Sequence, residues 1–125
     1  MITPITTKIA ACVPYLFWIV IGIVTFAMLL ELPHKSGGWP HWDKVQHLLV
    51  FVVLTTLAFF AYPKWHWLIV VLLIAYGGLV ELMQAAFTVT RMPSVGDWLA
   101  DIAGILVTVL VFQSMVLQRQ FKAHK

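Results

Sequence analysis

Residues 43–87 read DKVQHLLVFVVLTTLAFFAYPKWHWLIVVLLIAYGGLVELMQAAF, and this stretch decides the fold. Two apolar runs are parted only by Pro63-Lys64. A bilayer core takes roughly 20 apolar helical residues, so each run is long enough to cross one. Pro63 stops the first helix, and the connection is too short for anything but a fold-back. The pair is therefore an antiparallel helical hairpin. Ionisable and amide groups stand at its open end: Asp43, Lys44 and His47 before the first run, Glu81 and Gln84 near the close of the second.

The rest of the chain agrees with a lipid solvent. Of 125 residues, 62% are hydrophobic and 10% charged, and the mean hydropathy is +0.94. A soluble domain of this size has too small a core to hold so much apolar surface. The net charge of +3 is spread thinly, without a basic run of the kind that binds nucleic acid. Cys12 stands alone, cannot form an intrachain disulfide, and reads as a small buried hydrophobe. The apolar stretch 9–30 exceeds a signal-peptide core of about 7–15 residues and lacks a small-x-small cleavage pattern, so it reads as a retained membrane helix.

The expected fold is all-α: a polytopic membrane protein with four transmembrane helices in an antiparallel bundle, over 9–32, 44–62, 65–87 and 97–117, in a single domain covering 1–125. The tryptophans at 39, 42, 65, 67 and 98 fit interface belts. Four spans put Lys8, Lys64, Arg119, Lys122 and Lys125 on one side, and Lys35, Lys44 and Arg91 on the other. The positive-inside bias then places the termini in the cytoplasm and the polar cluster toward the outer face of a cytoplasmic (inner) membrane.

That cluster draws on three helices. His47 and Asp101 are each about 6 Å inside their expected helix starts, and Glu81 is about 9 Å from its helix end. Asp43 and His47 share a helix face, as do Glu81, Gln84 and Thr88, and as do Asp97, Asp101, Gly104 and Thr108. Polar stripes in lipid turn inward, because a charge facing acyl chains is costly. Gly96, Ala100 and Gly104 form a small-residue row suited to close helix approach, within the chain or between two copies.

Several of these residues also have structural readings. Asp43 with Gln46, and Ser94 with Asp97, fit capping boxes. Lys44 and Arg91 fit interfacial anchors that snorkel to water. Capping does not account for Glu81 or Asp101, which lie at lipid depth. The candidate set is His47, Glu81 and Asp97 for catalysis, with Asp43, Lys44, Gln84, Arg91, Ser94 and Asp101 for ligand binding. Asp43, Glu81, Asp97 and Asp101 could hold a divalent cation. With only His47 among the acids, oxygen-rich ligation favours Mg²⁺, Ca²⁺ or Mn²⁺ over zinc.

Taken in order, "DKVQH" (Asp43, Lys44, His47), "ELMQ" (Glu81, Gln84), "RMPS" (Arg91, Ser94) and "DWLADIAG" (Asp97, Asp101, Gly104) resemble the VanZ-like family, small multi-helix membrane proteins named for a teicoplanin-resistance protein. The resemblance covers roughly 43–111, and the first span matches only as a hydrophobic helix. That family usually carries Asn where Asp101 stands, so the acid makes this cluster more negative. The resemblance implies a polytopic membrane protein with a link to glycopeptide (teicoplanin) antibiotic response or envelope stress, and supplies no reaction.

The leading functional expectation is a shallow polar pocket between spans two, three and four that binds an amphiphile, an envelope lipid or a lipid-like antibiotic. The alternative is a membrane-embedded enzyme acting on lipid head groups, with His47 as general base and a carboxylate-held cation such as Mg²⁺. Ion translocation fits less well, because no acid or base lies in the cytoplasmic half of any span. In a purely structural reading, the network locks the bundle.

Overall fold

A computed structural model of the chain describes residues 4–30 and 38–123. Four helices follow one another: α1 (Pro4–Leu29), α2 (Trp42–Ala61), α3 (His66–Phe87) and α4 (Val95–Ala123). All four are long and apolar enough to cross a membrane, and the described residues contain no strand. The chain is an all-α, multi-pass membrane bundle.

Helix α2 is its axis. Its buried residues are His47, Phe51, Leu54, Thr55, Ala58 and Phe59, a stripe with helical spacing. Helix α4 lies closely along that stripe through Asp101, Gly104, Ile105 and Thr108. Helix α3 closes a second side with Ile69, Val70, Leu73, Gly77, Val80, Glu81 and Gln84. Helix α1 is peripheral and sends only Phe17 into the core from its described side chains. Leu49, Val53, Phe60, Leu72, Leu79, Leu106 and Leu110 all point outward. In water that distribution would be ruinous, and in acyl chains it costs nothing.

The α2–α4 contact depends on Gly104. A Cβ there would run into the Leu48 carbonyl oxygen. The small-residue row 96–104 is therefore spent inside the chain: Gly104 is buried against α2, and Gly96 lies against the Lys44 side chain. Hydroxyls along the seam bond back to their own helices. Thr55 donates to Phe51 O at 2.6 Å, and Thr108 to Gly104 O at 3.1 Å. No seam hydroxyl needs water, which the hydrocarbon region does not offer.

Several helix ends differ from expectation. Helix α4 starts at Val95 and runs to Ala123, past the expected stop at 117, because nothing between Leu117 and Ala123 breaks a helix. Helix α1 begins at Pro4, which suits a first turn. Residues 31–32 of the expected first span lie outside the described residues, as do Lys35 and Lys125 of the charge count. Asp43 is not a cap. Helix α2 starts at Trp42, two residues before the expected start, after His41 in left-handed conformation (φ 68°), and that N-cap makes no side-chain hydrogen bond.

Gly104→Ala should cost about 1–3 kcal/mol of stability by forcing α2 and α4 apart. Gly22→Ala, where a Cβ meets nothing within 4 Å, should be neutral within about 0.5 kcal/mol. Thermal unfolding of the two variants in one detergent checks the contrast. Equal losses would refute the assigned contact.

Candidate functional site

Helices α2, α3 and α4 meet near one membrane face in two polar tiers. The inner tier is His47, Glu81 and Asp101, which are 6%, 5% and 1% exposed. His47 Nδ1 lies 2.9 Å from Asp101 Oδ1. An ionised Asp101 carboxylate only accepts, and with that partner it is His47 Nδ1 that donates. Glycine makes this packing possible: a Cβ on Gly77 would stand 2.7 Å from Asp101 Oδ2. Glu81 Oε2 accepts from the Ser94 backbone N–H at 2.8 Å. Glu81 Oε1 is buried and has no hydrogen-bond partner among the described residues.

The outer tier is Lys44, Asp43 and Asp97. Lys44 Nζ bonds Asp97 Oδ1 at 2.9 Å and Asp43 Oδ2 at 3.2 Å. Lys44 and Asp43 are open to solvent, while Asp97 is mostly covered. The cap of α4 explains how Asp97 becomes available. Ser94 Oγ accepts from Asp97 N at 3.2 Å, the forward half of a capping box. The return bond would run from Ser94 N to the Asp97 carboxylate. Glu81 takes that N–H instead, which releases Asp97 to Lys44.

The remaining candidates turn elsewhere. Gln84 Nε2 donates to Met28 O at 2.8 Å, and Arg91 Nη1 to the same oxygen at 3.3 Å. Both cap the end of α1, where free carbonyls and the helix dipole favour a cation. Arg91 therefore turns to the end of α1 rather than to the acids. The Trp98 indole donates to Ile74 O at 2.9 Å and packs over Gly78.

The expected cation ligands are divided. Donor atoms of His47, Glu81 and Asp101 lie within 4.8 Å of one another, whereas Asp43 and Asp97 are held by Lys44. Two partners in this arrangement had no sequence signal of their own, the Met28 carbonyl and the Ser94 N–H, because every residue has such groups. Gly77 did have a signal, one helical turn before Glu81 on the same face.

Comparison of the chain with family models, with curated proteins and with solved structures finds no match in any of the three.

Gly77→Ala and Asp101→Asn should each weaken the His47–Asp101 hydrogen bond and cost about 1–3 kcal/mol. In ¹⁵N NMR of the imidazole, the His47 Nδ1 signal should move in both variants and stay in place in Gly22→Ala. An unmoved His47 signal in Asp101→Asn would remove the pair.

Proposed function

We propose that this chain is a multi-pass protein of the cytoplasmic membrane that binds the polar head of an amphiphile at the outer tier. The observation that carries the reading is Lys44, an accessible ammonium set between two carboxylates above a buried polar floor. Such a set offers both signs of charge at head-group depth. It suits a head carrying phosphate or carboxylate together with an amine, as in a zwitterionic envelope lipid or a lipid-like antibiotic. The apolar outer faces of the helices accept the tails. The inner tier is close-packed, so the head rests on it rather than entering it. The order of motifs that resembles the VanZ-like family supports the same reading, including its link to teicoplanin resistance.

The His47–Asp101 pair favours a second reading, an enzyme acting on lipid head groups with His47 Nε2 as general base. Native mass spectrometry of protein extracted gently from its own membranes tests both. A lipid or amphiphile adduct should be held by the unaltered chain and weakened at least about tenfold in Lys44→Met. Equal adducts in both proteins would sink the binding reading. A lipid whose mass changes on incubation, with no change in a His47→Gln variant, would establish turnover.

The reading also needs an orientation. The termini are assigned to the cytoplasm and the two polar tiers to the outer face, following the positive-inside bias. Single cysteines in a Cys12→Ser background report it. An impermeant maleimide on intact cells should label Trp39→Cys and Met92→Cys and spare Lys64→Cys. The reverse pattern would invert the topology.

A further inference from the structure

We infer that His47, Glu81 and Asp101 bind one divalent cation of the first transition row, of the class Mn²⁺, Fe²⁺ or Zn²⁺. The inference goes beyond head-group binding: it concerns the inner tier and does not depend on what occupies the outer one.

Three observations carry it. First, three helices each supply one donor, and the donor atoms lie within 4.8 Å of one another. All three residues are more than nine-tenths buried. Second, the Glu81 carboxylate is half used. Oε2 is bonded to Ser94 N, while Oε1 is buried without a partner among the described residues. An unsatisfied buried carboxylate oxygen is costly, more so at membrane depth. Third, the nearby bases are committed elsewhere. Lys44 is held by Asp43 and Asp97, and Arg91 by the end of α1.

A proton does not resolve this arrangement. Protonating His47 offsets one of two negative charges. Protonating Glu81 at Oε1 turns an acceptor without a donor into a donor without an acceptor, and protonating Oε2 sets a hydroxyl against the Ser94 N–H. A divalent cation does resolve it. With neutral His47 the site carries two negative charges, the cation brings two positive ones, and Oε1 gains a partner. The assembly is neutral, which is what a low-dielectric setting demands.

The donor set selects the cation class. The four-carboxylate set expected from the sequence favours Mg²⁺ or Ca²⁺ over zinc, but the groups that meet are one imidazole and two carboxylates, which suit Mn²⁺, Fe²⁺ or Zn²⁺, whereas Mg²⁺ and Ca²⁺ prefer oxygen alone. Two ligands at right angles, each about 2.1 Å from one ion, are about 3.0 Å apart. The His47 Nδ1–Asp101 Oδ1 separation of 2.9 Å already matches. The pair can exchange its shared hydrogen for a metal without moving a helix: the imidazole hydrogen shifts from Nδ1 to Nε2, so the ring stays neutral and no proton is released.

The test uses the full chain in lipid nanodiscs, stripped with chelator and titrated with MnCl₂, ZnCl₂ or MgCl₂. About one Mn²⁺ per chain should bind, with imidazole nitrogen coupling in pulsed EPR. Zn²⁺ should displace it and Mg²⁺ should not. Glu81→Gln should weaken Mn²⁺ at least about tenfold, His47→Gln should abolish the nitrogen coupling, and Lys44→Met should change neither. Absence of stoichiometric Mn²⁺ and Zn²⁺ binding to the unaltered chain would overturn the inference, as would undiminished affinity in a folded Glu81→Gln protein. Should the variants fail to fold, Mn²⁺ must broaden the His47 NMR signal of the unaltered chain before that of His66, at the far end of the bundle. Broadening in the opposite order also overturns it. Lipid binding that survives in Lys44→Met while the unaltered chain holds metal would sink the head-group reading alone, and lipid binding lost in Lys44→Met while the unaltered chain holds no metal would sink the cation site alone.

Discussion

The close approach of α4 to α2 at Gly104 is the constraint on which the rest depends. Only a residue without a Cβ lets the α4 backbone settle beside the Leu48 carbonyl. Asp101 lies almost one turn before Gly104, and His47 immediately precedes Leu48. The same contact that joins the helices therefore brings imidazole to carboxylate at 2.9 Å. Gly77 does the corresponding work on α3, leaving space for the Asp101 carboxylate and so letting α3 present Glu81 one turn later. Close packing and polar chemistry are one feature here, because a buried ionisable group needs its partners within bonding distance.

Lipid shapes the remainder by what it omits. A hydrocarbon solvent exerts no hydrophobic pressure on helices, so the buried apolar core is small and most large apolar side chains face outward. Cohesion then rests on small-residue contacts and on polar groups that find partners within the protein. Tyr76 meets Thr25 at 2.7 Å, Trp18 reaches Tyr62 at 2.8 Å, and Gln84 and Arg91 finish the end of α1. Helix α1 is held by these bonds and a modest apolar contact.

The two tiers divide the labour of charge. At the solvent edge, Lys44 faces Asp43 and Asp97, where water and head groups screen any imbalance. Deeper, Asp101 holds the His47 imidazole, and Glu81 brings a second carboxylate within 4.8 Å of both. The Ser94 N–H links the tiers: by bonding Glu81 rather than Asp97, it sends one acid inward and the other outward.

The sequence alone determined the four helices and the hairpin, because bilayer thickness converts apolar length directly into spans and Pro63 leaves no room for another path. It also singled out His47, Glu81 and Asp101 as deep ionisable residues on three helix faces, since periodicity and depth are local properties. Partner choice was decided only by the tertiary structure. Sequence could not tell that Arg91 would cap α1 while Lys44 took Asp97, since both bases are long and flexible and lie at the same end of the bundle as the acids. Nor could it show that a backbone N–H would outcompete the local capping box and leave one Glu81 oxygen without a partner among the described residues. Spacing along a chain sets which groups share a face, whereas the relative rotation and separation of packed helices, set here by Gly77 and Gly104, decide which of them meet.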